Sequence, residues 1–176
     1  QAQFEALAAK GYRIIALAKK DLSGSSEYFR EMTFLGMVAM IDPVRPEAIS
    51  AIARCREGGI EVAMITGDHP ATAKSIALEL GLCEESAKVG TGPMLHGADT
   101  QGQHVADNLI RPARVFARIE PQQKEQIVDC LMRDGHFVAV TGDGVNDAPA
   151  MRHAHTSIAM GKRGTDVAKE TADLII

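Results

Sequence analysis

Two short strings carry most of the chemistry this sequence could perform. The first is Thr141-Gly142-Asp143-Gly144-Val145-Asn146-Asp147-Ala148-Pro149-Ala150. It sets two carboxylates, Asp143 and Asp147, four residues apart on a glycine-rich turn after an apolar run. Oxygen ligands on such a turn suit a hard cation, and Mg2+ is commonly held by one or two carboxylates together with substrate phosphate. The glycines let the main chain come close to a ligand, and the start of a following helix adds positive potential. The plainer alternative is a polar turn in which an Asp caps a helix. The second string is Met64-Ile65-Thr66-Gly67-Asp68-His69-Pro70. Its hydroxyl and backbone N–H groups at a helix start make either a phosphate cradle or an ordinary cap. A third stretch, Val115-Phe116-Ala117-Arg118-Ile119-Glu120-Pro121, is followed by Lys124. A lysine in the first turn of a helix works against the helix dipole. It is therefore either solvated or held there for an anion such as a phosphoryl oxygen.

Those turns need a scaffold, and the pattern around them supplies one. Phe4, Leu7 and Ala8 share a helical face that Gly11 can end, and Tyr12–Ala18 reads as a strand. Ser23 to Ser26 is a loop, and Thr33–Ile41 is a continuous apolar run expected to form a buried strand. Asp42, Pro43, Val44, Arg45 and Pro46 then break the pattern, because two prolines forbid ladder pairing. A helix over 46–57 turns Ala48, Ile49, Ile52 and Ala53 inward and ends at Gly58-Gly59. A strand over 60–65 leads into Thr66-Gly67-Asp68, and a helix from Pro70 closes at Gly81. Residues 83–113 are glycine-rich connection with one short helix. Strands are expected at 115–117, 136–140 and 157–160. Helices are expected from Pro121 to Gly135, just after Asp147, and near 165–171. Alternating strands and helices of this length predict an α/β fold with one parallel sheet and helices on both faces. In such sheets ligands bind at the carboxyl ends of the strands, where both T-G-D turns fall on one edge.

Composition narrows the rest. The chain has 176 residues and a net charge of -4, so it offers no basic surface for non-specific nucleic-acid binding. No window approaches about 18 uninterrupted apolar residues, the length that spans a bilayer. Cys55, Cys83 and Cys130 are far apart and odd in number, which favours reduced thiols in a cytosolic setting over disulfides or a zinc site. His153 and His155 stand two apart, a spacing that does not place both on one helical face, and read as surface or packing residues. The sequence opens on Gln1 and closes inside the apolar run Leu174-Ile175-Ile176, as expected of a piece of a longer protein.

The strings MITGDHPATAKSIALELGL, VFARIEPQQK, TGDGVNDAPA and IAMGKRGTDVAKETADLII closely resemble the phosphorylation domain of P-type cation-transporting ATPases, within the haloacid dehalogenase-like superfamily. The resemblance runs from about Gly36 to Ile176, with weaker similarity back through GYRIIALAKKD. It implies a Rossmann-like sheet lacking its first strand. Residues 1–36 would end the nucleotide-binding domain, 37–46 form the hinge and 47–176 the partial phosphorylation domain. Asp143 matches the Mg2+ ligand, and Asn146 and Asp147 the residues that order its turn. Thr66 and Gly67 match the pair that binds the transferred phosphoryl group, with Asp68 beside them. Lys124 matches the lysine that neutralises that group. Arg118 and Arg13 match arginines that contact ATP, and Asp42 and Arg45 match the hinge. The family's Asp-Lys-Thr-Gly-Thr string, which holds the nucleophile, is absent. Where the family reads Ala-Asp-X-Gly-Ile-Ala-Met, this chain has His155 and Ser157 in place of the acid and the glycine.

The implied activity is ATP-driven transport of calcium or another light cation through an aspartyl-phosphate, at the cytosolic face of a bacterial plasma membrane. The partners implied are ATP, the transported cation, and the actuator and membrane domains, with the piece itself inactive. The alternatives are a soluble haloacid dehalogenase-like phosphatase and a non-enzymatic Mg2+- or nucleotide-binding module.

Overall fold

A computed structural model describes residues 6–7, 12–20, 32–40, 43–99 and 108–176, and the statements below concern those residues. The expected first helix therefore lies outside them, apart from Ala6 and Leu7, which are helical. Strands β1 (Arg13–Lys19) and β2 (Thr33–Met40) pair antiparallel, from Arg13 opposite Met40 to Lys19 opposite Thr33. The apolar run of β2 is a strand as expected, but it is not buried: Phe34, Leu35, Met37, Val38 and Met40 are all exposed. An apolar run shows what a strand could bury, whereas here β1 is its one ladder partner among the described residues.

Helix α1 (Pro46–Glu57) starts at a proline, as its fixed φ favours, yet it buries no residue. The expected inward face is open, with Ile49 42% exposed. Periodicity marks an apolar stripe without saying what covers it.

The next segment builds the first parallel sheet. It contains β3 (Met64–Ile65), α2 (Pro70–Glu79), β4 (Gly90–Thr91), α3 (Gly92–Asp99), β5 (Val115–Ala117) and α4 (Pro121–Arg133). β5 is central, parallel to both β3 and β4. Its alternation explains the layers. Val115 and Ala117 pack with Ala73 and Ala77 of α2 on one face. Phe116 packs on the other with Leu95 of α3 and Ile127 and Cys130 of α4. Burying Phe116 alone contributes about 1.5–3 kcal/mol. The strand expected at 60–65 is shorter, because β5 pairs with it at Met64 and Ile65 alone, and Ile60 is exposed.

The second sheet is also parallel, in the order β6 (Ala139–Gly142), β7 (Thr156–Ala159), β8 (Leu174–Ile175), with α5 (Ala148–His153) and α6 (Asp166–Thr171) between them. Met151, Ala159 and Ala168 form its core with Val140 and Ala172. The strand expected from His136 begins later, at Ala139. Phe137 is instead exposed and stacks on the His155 ring, with centroids 4.7 Å apart.

The parallel sheets flanked by helices fit the α/β expectation, with one correction. The single sheet is present as two, and among the described residues no ladder joins β3 to β6. The T-G-D turns thus end two different edge strands, and α4 packs on α5 between the halves.

Candidate functional site

Gly142 shows why the Asp143 turn has its sequence. A β-carbon there would lie 2.6 Å from Asp147 Cβ and 2.9 Å from Met151 Sδ, so the strand end must be bare for α5 to fold back over it. Asp147 then closes the turn. Its Oδ2 accepts from the N–H groups of Asp143 (3.3 Å) and Gly144 (3.2 Å), and its own N–H donates to Gly144 O (3.1 Å). Its Oδ1 meets Lys124 Nζ at 2.5 Å, with both side chains 18% exposed. The cation at the start of α4 is therefore held across the seam by the carboxylate at the start of α5. Asp143, Val145 and Asn146 are left exposed, and the Asp143 carbonyl accepts from Thr165 N–H at 2.8 Å. Thr165 in turn caps α6, its hydroxyl accepting from Ala168 N–H.

The other turn is built from its own side chains. Thr66 Oγ1 donates to Asp68 Oδ2 (3.0 Å) and accepts from Asp68 N–H (3.1 Å). The helix that follows is capped by neither Thr66 nor Asp68 but by His69, whose Nδ1 accepts from Ala71 N–H. Gly67 lies exposed between them. Two backbone bonds tie this turn to the Arg118 segment: Arg118 N–H to Asp68 O (3.0 Å) and Ile119 N–H to Thr66 O (3.1 Å). Arg118 itself is exposed and has φ +54.

The structure thus brings Lys124, Asp147 and the Asp143 backbone together, and separately Thr66, Asp68 and the Arg118 backbone. Arg13 opens β1, and its side chain is outside what is described. Asp42 lies outside the described residues, and Arg45 is exposed at the start of α1. A cleft of about 440 Å3 opens beside α4 and α5, lined by Glu125, Val145, Ala148, Pro149, Arg152 and His153. His153 Nε2 lies 3.3 Å from Asp129 Oδ1 there, and this contact holds the Asp129 carboxyl below its usual range.

As for a metal, the exposed Asp143 carboxylate is the donor available on the turn, since Asp147 is engaged by Lys124 and two amides. No group of three or more His, Cys, Asp or Glu among the described residues could enclose an ion. That donor set fits Mg2+ in its usual manner, one carboxylate completed by water and substrate oxygens, rather than an all-protein cage.

Sequence reasoning missed Gln123. Gln123 and Ser157 are the buried polar side chains of the described residues. The Ser157 hydroxyl donates to Asp173 Oδ2 (2.9 Å), as does its N–H (2.8 Å). These bonds hold the Asp173 carboxyl below its usual range. His155 Nδ1 accepts from Val138 N–H at 3.2 Å.

The family model for haloacid dehalogenase-like hydrolases matches residues 3–155. The chain is 44% identical, over 98% of its length, to the cation-transporting ATPase pma1 of Synechocystis, of which it covers 19%. It is 42% identical over 97% of its length to the calcium-transporting ATPase of Bacillus subtilis, again covering 19% of that protein. It is 40% identical over 82% of its length to the sodium/potassium-transporting ATPase subunit alpha-A of Artemia franciscana, covering 17%. The chain spans about a fifth of the length of the curated relatives it matches. No helix among the described residues is long and apolar enough to cross a membrane.

Proposed function

Because the chain belongs to the haloacid dehalogenase-like hydrolase family, we propose that it is part of the phosphorylation unit of a P-type ATPase that moves a cation at the expense of ATP. The observation that carries this reading is the Lys124–Asp147 pair, which joins the two T-G-D halves through one ammonium beside the exposed Asp143. Relatives at 40–44% identity with the names cation- and calcium-transporting ATPase support it. Calcium or another light cation is the transported species in this reading, and its ligands lie in membrane helices that this sequence does not contain.

The residues divide the work as follows. Thr66 and Gly67 bind the transferred phosphoryl group through hydroxyl and amide donors. Lys124 offsets its negative charge, and Asp147 fixes the ammonium and the Asp143 turn together. Asp143 holds Mg2+, which when bound neutralises phosphate oxygens. Arg118, and Arg13 from the nucleotide-binding side, contact ATP. Residues 37–46, with Asp42 and Arg45, belong to the hinge, and β1 with the start of β2 belongs to the nucleotide-binding side. The attacking carboxylate comes from an Asp-Lys-Thr-Gly-Thr strand of the whole pump, forming an aspartyl-phosphate. We place that strand between the edges of β3 and β6. The chain by itself therefore forms no phosphoenzyme.

The test is phosphorylation of the whole pump by Mg-ATP, read as acid-stable, hydroxylamine-sensitive label. Asp143→Ala should abolish it, and label at near-normal levels would refute the assignment.

A further inference from the structure

Arg118 is the one non-glycine residue with positive φ among those described, at +54. A left-handed backbone on a residue with a β-carbon is strained and persists where its surroundings over-determine it. Here the surroundings can be named. On one side are the two backbone bonds to Asp68 O and Thr66 O. On the other is Gly92 at the start of α3, where a β-carbon would run into the Arg118 carbonyl oxygen. The third neighbour is Gln123, 2% exposed beneath the loop. Its Nε2 donates to Gly92 O at 2.8 Å and its Oε1 accepts from Glu120 N–H at 2.9 Å. The amide thus ties Gly92, which abuts the Arg118 carbonyl, to Glu120 two residues after Arg118, with both of its polar ends bonded. A buried amide is costly unless bonded in this way, and a fully bonded one fixes a unique arrangement.

We infer that Gln123 is a positioning residue for the phosphate-binding half of the site, holding Arg118 left-handed and through it setting the Thr66–Asp68 turn. The inference rests on the phosphate reading of that turn. Gln123 touches no substrate. It acts on the loop that carries Arg118 and on the first turn of α4, which carries Lys124.

Two variants test it on this chain. Gln123→Glu keeps the acceptor for Glu120 N–H and loses the donor to Gly92, and Gln123→Leu loses both. The first readout is amide exchange. Arg118 and Ile119 N–H should exchange about tenfold or more faster in folded Gln123→Glu, while β7 amides keep their rates. The second is titration with inorganic phosphate and with Mg-ATP, followed by amide shifts of Thr66, Gly67 and Asp68. Affinity should weaken by about fivefold or more. Gln123→Leu should exceed both effects, and if it does not fold, Gln123→Glu decides. A lowered melting temperature with unchanged Arg118 and Ile119 exchange and unchanged affinity would overturn the inference, since that is all a merely structural glutamine would produce. If the unmodified chain binds neither probe, the phosphate reading of the turn fails by itself. The exchange result still decides whether Gln123 holds it.

Discussion

Asp147→Ala removes an ion pair and two acceptors in one step, and its cost can be worked from the geometry. The Lys124–Asp147 atoms are 2.5 Å apart with each side chain 18% exposed. Breaking a fully buried pair costs about 3–5 kcal/mol, and a fully exposed pair is worth about 0–1. A pair this far from water lies between, at about 2 kcal/mol. The bonds from Asp143 and Gly144 N–H are long, at 3.3 and 3.2 Å, and Asp143 is exposed. Water replaces the carboxylate readily there, so each adds about 0.5 kcal/mol. The expected loss is about 3 kcal/mol, or about 6–12 °C in melting temperature for a domain of this size. Urea denaturation of Asp147→Ala, Lys124→Met and the double variant closes a mutant cycle. Its coupling energy should be about 1.5–2 kcal/mol, because each single variant leaves the other group without its partner. A loss below about 1 kcal/mol for Asp147→Ala, or a coupling below about 0.5, would show that the seam is held by helix packing alone.

Gly142→Ala should cost about 1–3 kcal/mol through overpacking, since the new β-carbon would sit 2.6 Å from Asp147 Cβ; an unchanged urea midpoint would contradict the close approach. Acid should weaken the β7–β8 end through Asp173. Its carboxyl is depressed by the Ser157 bonds in the folded chain, so the unfolded chain binds the proton more readily. The stabilisation is full above the ordinary carboxylate range and is lost as pH falls below about 4. Ser157→Ala should flatten that acid limb in denaturation curves taken from about pH 6 to about pH 3, and an identical slope would remove Ser157 as the cause.

The legible parts of the sequence were those with punctuation. Pro70 and Pro121 start α2 and α4 because a fixed φ and a missing N–H suit the first helical turn. The positions of both T-G-D turns were legible, since a glycine turn after an apolar run and before a proline-started helix marks a strand-to-helix junction. Burial was less so. The runs in α1 and β2 are apolar, yet what covers a face is a matter of the rest of the fold, and among the described residues both stay open. Strand β4 escaped notice because its two residues, Gly90 and Thr91, are too few for a period and sit in a glycine-rich stretch. Gln123 left a faint trace: Glu120 followed three residues later by Gln123 has capping-box spacing, and Gln123 does return to the Glu120 N–H. The left-handed Arg118 left none, because nothing in its residue type announces it.

The division into two sheets has a consequence for how the chain folds and opens. The first sheet draws all of its strands from residues 64–117 and the second from residues 139–175, so neither borrows a strand from the other. Each has its own apolar cluster. Units that are contiguous in sequence close short loops and form early, and they also open separately. The seam of α4 against α5, with Lys124 and Asp147 at its end, then docks two bodies that are already formed. In such an arrangement the Lys124–Asp147 contact is the last thing to assemble and the first to come apart.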